Sequence, residues 1–173
     1  SGKVMRWVAL ILVAAVGVVV WYGTTYGWPW DGAQLSGGRE RRQVEVEPPL
    51  RVGRHGPHEV LSFVAITGGT VAGPRLNGVV LPGGGDWYTD RDGSITLDAR
   101  YLLRADDGAV IDVANRGFWR ADPDVTARLD AGEPVDEALY YYRTSPVFTT
   151  DAAPHVWLTR TVFVGLAREY HGR

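Results

Sequence analysis

The 173-residue sequence has no cysteine and a single methionine, which excludes disulfides, thiolate zinc sites, iron–sulfur clusters, covalent haem attachment and cysteine nucleophiles together. A net charge of −2 leaves no basic field to hold phosphates, so nucleic acid is not expected as a partner. No Gly-x-Ser-x-Gly elbow is present. The glycine runs Gly68-Gly69 and Gly83-Gly84-Gly85 are not followed by Lys-Ser or Lys-Thr and open no helix, so they read as turns rather than phosphate cradles. Four histidines, two of them (His55 and His58) flanking Pro57, offer no metal-ligand spacing. The expectation is a chain with no metal and no resident cofactor. What is present, 45% hydrophobic and 22% charged residues, suits one ordinary globular core.

Charge is also missing locally. Between Trp7 and Tyr26 no residue is charged, and a helix of twenty residues would be about 30 Å long, the thickness of a hydrocarbon core. Trp7 at one end and Trp21, Tyr22, Tyr26, Trp28 and Trp30 at the other sit where membrane-interface aromatics belong. Lys3 and Arg6 precede the run and no cation follows before Arg39, which puts the N-terminus in the cytoplasm of a bacterial inner membrane and the rest in the periplasm or outside. A cleaved signal peptide lacks a convincing small-residue site here. The expected organisation is a single-pass anchor over residues 1–30, a linker or wrapping arm over 31–57 and a β domain over 58–173. Within the arm, residues 43–47 alternate apolar and polar and suit a short edge strand.

Beyond residue 57 the pattern predicts antiparallel strands near 58–66, 70–81, 94–104, 109–118, 139–148 and 155–167, with Asp92-Gly93 and Asp107-Gly108 as hairpin turns. One helix is expected over 122–131, with Pro123 at its start and Gly132 at its stop. An antiparallel sheet of this size must hide its edges. The expected fold is therefore all-β, a small antiparallel β-barrel preceded by one N-terminal transmembrane α-helix.

Several motifs in this domain resemble one family in the same order: Gly73-Pro74-Arg75-Leu76-Asn77-Gly78, Leu81-Pro82-Gly83-Gly84-Gly85-Asp86-Trp87, Leu97-Asp98-Ala99-Arg100-Tyr101, Asn115-Arg116-Gly117, Tyr141-Tyr142-Arg143-Thr144-Ser145-Pro146 and Trp157-Leu158. They are similar to the domain of unknown function 3237, also called the uncharacterised protein family 0311 group, over residues 58–168. The resemblance implies a compact, mostly antiparallel barrel and no settled activity. The sequence departs from the family pattern in its anchor and arm, and at Thr159, where the pattern has asparagine.

Candidate chemistry gathers on few residues. Asp86 and Trp87 follow the glycine run and can form a pocket mouth, or a capped turn beside a core tryptophan. Asp98 and Arg100, two apart on a strand, share a face, as do Tyr141 and Arg143. If those faces point inward, Asp86, Asp98, Arg100 and Arg143 form a polar site, with Trp87, Tyr141 and Trp157 as further ligand contacts; otherwise they are structural ion pairs. Three readings follow. The first is a cofactor-free accessory subunit of a larger membrane complex, by analogy one of photosynthetic or respiratory electron transfer, held to lipid and to other subunits through residues 1–57. The second is a small-molecule-binding or catalytic barrel built on the four charged residues. The third is a tethered domain that meets an extracellular partner through an exposed Trp119 region and the arm. The first is preferred, with enzymatic activity left open.

Overall fold

The computed structural model describes residues 17–23, 39–54 and 56–168, and their side chains over 44–54 and 56–167. Among the described residues ten strands form one antiparallel sheet: β1 (Gly17–Gly23), β2 (Arg39–Val46), β3 (Leu50–Arg54), β4 (Glu59–Ala72), β5 (Gly78–Val80), β6 (Gly84–Arg91), β7 (Ser94–Ala105), β8 (Val110–Ala121), β9 (Tyr140–Thr149) and β10 (Phe163–Arg168). The ladder runs β2-β1-β10-β9-β8-β7; β7 then pairs with β5 and β6, both return to β4, and β4 pairs with β2. The sheet closes on itself, which removes the edges that would template aggregation. β3 lies outside this circuit, against β4 at Val60–Phe63.

Turn chemistry sets the register. Asp92 and Gly93 both take positive φ, 51° and 89°, the pair of angles that matches hairpin twist, and Gly93 N–H donates to Asp90 Oδ1 at 2.8 Å. Gly84 is demanded by close approach, since a Cβ there would lie 2.6 Å from the Arg100 carbonyl oxygen.

Burial alternates along β7 and β8, with Ile95, Leu97, Ala99, Tyr101 and Leu103 inward and Asp98, Arg100 and Leu102 outward. The inward side chains form two apolar clusters. One gathers Ile66, Val80, Tyr101, Leu103, Ile111, Val113 and Phe148; the other gathers Val64, Tyr88, Ile95, Leu97, Trp119 and Tyr140. Each carries a helical plug. Helix α1 (Pro123–Asp130) buries Val125 and Leu129, four apart on one face, in the second cluster. The 3-10 segment Ala153–Arg160 buries His155 and Leu158 at the first, where His155 Nε2 meets Asp107 Oδ2 of the β7–β8 turn at 2.8 Å.

The expected transmembrane helix is corrected by this topology. Residues 18–23 pair antiparallel with Phe163–Arg168 on one side, and residues 17–22 with 39–44 on the other, so the second half of the apolar run is a strand inside the sheet. Consecutive valines explain the outcome: β-branched side chains lose rotamer freedom in a helix and pack well on a pleated surface, and apolarity alone does not separate a spanning helix from a buried strand. Among the described residues no helix is long and apolar enough to cross a membrane. Trp21 and Tyr22 lie on β1, whereas Trp7, Tyr26, Trp28 and Trp30 lie outside the described residues. The membrane-anchored accessory subunit, its lipid collar and its inner-membrane, periplasm-facing placement lose their basis with the helix. The strand of the arm is also longer than expected, and β2 lies between β1 and β4 rather than at an edge.

Candidate functional site

Alternation along β6 sends Asp86 and Tyr88 inward and Trp87 outward. Asp86 is flanked by two apolar inward residues, Val64 on β4 and Ala99 on β7. β6 and β7 pair at Asp86–Ala99 and again from Thr89–Thr96, and in the interval Asp98 N–H donates to Asp86 Oδ1 at 2.9 Å. Burial of the carboxyl raises its pKa to about 7, the Asp98 N–H opposes that rise, and the Asp98 charge adds to it. Next to Asp86, burial also raises the Tyr88 pKa, against the effect of its hydrogen bond with Ser62, an inward residue opposite Tyr88 on β4.

The seam between the two apolar clusters is polar. On β8, Asn115 lies between Val113 of one cluster and Trp119 of the other; on β9, Thr144 lies between Phe148 and Tyr140 in the same way. Asp86 joins the seam, between Val64 of one cluster and Ala99 of the other. Asn115 Oδ1, Thr144 Oγ1 and Trp119 Nε1 are buried without a hydrogen-bond partner among the described residues, an arrangement proteins rarely leave in place because each such group forfeits its hydration.

The other expected site residues lie elsewhere. Asp98 and Arg100 do share a face, and it is the outer one: Arg116 Nε meets Asp98 Oδ1 at 3.3 Å, and the Arg100 guanidinium donates twice to Asp112 at 3.2 Å. Tyr141 and Arg143 also face outward, with the Arg120 and Arg143 guanidinium groups 4.4 and 5.4 Å from the Tyr141 ring. Arg143 Nη1 donates to the Tyr142 carbonyl at 2.9 Å. Trp87 packs on Phe63 with ring centroids 4.7 Å apart. Trp157, on the 3-10 plug, carries the Arg75 guanidinium 3.7 Å above its ring. Asp86 is therefore separated by the sheet from Asp98, Arg100 and Arg143. The outer groove beside Trp87, Gly85, Arg100, Leu102 and Asp112 measures about 330 Å³, and its two charged groups already satisfy each other. Trp119, expected to be exposed, is 3% exposed and inward. Ser62, Asn115 and Thr144 were not anticipated; their signal is a polar residue at an inward position of an otherwise apolar alternation. No group of three or more metal-ligating side chains occurs among the described residues.

The model of the family described as protein of unknown function (DUF3237) matches residues 41–172. The chain belongs to the DUF3237 family. A relative named UPF0311 protein, from Clostridium acetobutylicum, is 36% identical over 122 residues, which covers 70% of this DUF3237 chain and 77% of the relative. The crystal structure of a conserved protein of unknown function from Rhodopseudomonas palustris superposes with a TM-score of 0.68 at 28% identity, covering 91% of this chain and 89% of that one. A β-barrel-like protein from Acinetobacter baumannii superposes at 0.57 with 28% identity, covering 73% and 94%. A shorter match, 38% identical over 53 residues, covers 31% of this chain and 36% of the hydroalkoxylation enzyme of Penicillium herquei. None of these relatives is named as a subunit of a membrane complex, and in the DUF3237 chain β1, paired with β2 and β10, stands where that reading needed a helix.

Proposed function

We propose that the closed sheet is a small-molecule barrel whose ligand lies along the interior polar seam and whose Asp86 moves a proton to or from it. The observation that carries this reading is the position of Asp86: an inward carboxyl between two apolar clusters, held by one backbone N–H and by no cation among the described residues. A structural carboxylate at such depth is ordinarily paired with a cation. An acid–base group, in contrast, works best with a pKa near the working pH.

The Penicillium relative lends the reading a reaction type. Hydroalkoxylation adds an alcohol O–H across a carbon–carbon double bond: the O–H bond and the π bond break, C–O and C–H bonds form, and no oxidant or reductant is consumed. A single carboxyl that gives a proton to carbon and recovers one from oxygen satisfies that balance, and Asp86 has the pKa for both directions. Proton transfer on a neutral organic molecule is the class proposed for this chain.

The test pairs a titration with a ligand screen. Carbon-detected NMR of side-chain carboxyls should find one group with a midpoint near pH 7 that is absent in Asp86→Asn, and ligand-observed NMR of a small-molecule library should find compounds whose retention is lost in the same variant. An Asp86 carboxyl with its midpoint near 4, together with a library in which no binding depends on Asp86, overturns the reading.

A further inference from the structure

The open groove of about 330 Å³ on the outside of the sheet draws on β6, β7 and β8, and its size suits a small molecule. Its floor is the run Gly83-Gly84-Gly85. Gly83 takes a φ of 100°, and a Cβ on Gly84 or Gly85 would collide with β7 or with the Phe63 ring, so the floor stays bare backbone. Trp87 and Leu102 border it, 49% and 41% exposed. Phe63 packs on Trp87 with ring centroids 4.7 Å apart, which holds the indole in place while half of it remains in water.

The charged wall of the groove narrows the choice of ligand. Arg100 Nε and Nη2 donate to the two oxygens of Asp112, each at 3.2 Å. A guanidinium has about five N–H donors and a carboxylate about four acceptor positions, so the pair keeps donors and acceptors to spare. As a unit it is neutral. An anion entering the groove meets the Asp112 carboxylate, and a cation meets the Arg100 guanidinium. A purely apolar ring answers neither. Adjacent hydroxyls on a saturated ring answer both, since each hydroxyl donates and accepts, and the C–H face of such a ring suits the negative π face of the indole.

We infer that this outer groove binds the ring of a neutral sugar, with its C–H face on Trp87 and neighbouring hydroxyls on Arg100 and Asp112. The site lies across the sheet from Asp86 and does not depend on the interior reading. Arg100 gives hydrogen bonds to one hydroxyl oxygen, Asp112 takes the proton of the next, and the glycine floor lets the ring approach the backbone.

The readout is the indole ¹H–¹⁵N resonance of Trp87, assigned by its loss in Trp87→Phe. The probes are the methyl glycosides of glucose, galactose and mannose, with cyclohexanol, glucuronate and protonated glucosamine as controls. At least one glycoside should move the resonance saturably. Cyclohexanol, which has the ring without adjacent hydroxyls, should bind about fivefold more weakly or worse, a loss the size of one net hydrogen bond. The two charged sugars should bind no better than the neutral one. Arg100→Met should weaken the glycoside by about fivefold or more, and with the pair exposed at the surface the melting temperature should hardly change. Asp112→Asn leaves the guanidinium without its counter-charge, so in that variant glucuronate should overtake the neutral sugar. Silence from all three glycosides at about 50 mM, far above a millimolar dissociation constant, overturns the inference. So does cyclohexanol or glucuronate binding as well as the glycosides in the unaltered protein, or an affinity indifferent to both substitutions. A Trp87 resonance that moves on dilution of the protein alone overturns it in favour of a second copy of the chain as the occupant.

Discussion

The inner and outer faces of the same strands treat polar groups in opposite ways. On the outer face of β7 and β8 two ion pairs lie in water: Arg100 with Asp112, and Arg116 with Asp98. On the inner face Asp86 has one backbone N–H, and Asn115, Thr144 and Trp119 have no partner among the described residues for the atoms named. Outer pairs are numerous and worth little, because solvent screens them. Inner groups are few and costly, because burial penalises each one left unsatisfied. A fold keeps such a cost where function requires it, so the face with fewer interactions is the one to probe.

Asp86→Asn should give the largest effect and split the two faces by pH. The carboxyl has a pKa of about 7 in the folded protein against 3.8 ordinarily. Between those values the folded state keeps a proton that the unfolded state has released, so stability falls as pH rises from about 4 to about 7 and levels off above. Three pKa units correspond to about 4 kcal/mol. Asparagine is never ionised and removes that cost. Urea denaturation at pH 8 should find the variant more stable by up to about 4 kcal/mol, and at pH 4 the difference should close. Equal stabilities at pH 8 would mean that the carboxyl is not desolvated and that the contrast between the faces fails at its central residue.

The sequence carries this contrast only in part. Strand alternation places Asp98 with Arg100 and Tyr141 with Arg143 on shared faces, and both pairs do share one; which face is inward depends on register with strands far away in the chain, and both proved to be outward. Gly83-Gly84-Gly85 has the look of turn punctuation, yet Gly84 and Gly85 open a strand, one pressed against β7 and the other beneath the Phe63 ring. The expected strand over 155–167 is a 3-10 plug followed by β10, since apolar spacing in a short run fits either. The valine run is the largest misreading: its hydrophobicity was legible, but its pairing with β2 and β10 is non-local and leaves no local mark. The family motifs and the antiparallel class, in contrast, were legible because turns and alternation are local.

Leu102 and Leu103 offer a sharper comparison at fixed chemistry, being adjacent on β7 with 41% and 1% exposure. Leu103→Ala removes a side chain from the packed cluster and should cost about 2–5 kcal/mol by equilibrium denaturation. Leu102→Ala should cost less than about 1 kcal/mol, since its side chain is already partly in water. A reversed order would show that β7 is turned by one residue, which would move every side chain of that strand to the other face.

The smallest effect belongs to the outer ion pair. Asp98 and Arg116 side chains are 53% and 77% exposed at 3.3 Å separation, a geometry in which solvent screening and side-chain ordering offset most of the attraction. Arg116→Ala should change stability by no more than about 0.5 kcal/mol, and that change should vanish in 1 M salt, where the Debye length is about 3 Å. The Asp98 backbone N–H that holds Asp86 does not depend on the Asp98 side chain, so Asp98→Ala should leave the Asp86 hydrogen bond in place and alter the Asp86 midpoint only through the lost charge. That charge raises the Asp86 pKa, so the midpoint should move down in Asp98→Ala, by less than the rise that burial produces. A larger fall would mean that the outer face governs the inner carboxyl, and the division between the two faces would give way to electrostatic coupling through the sheet.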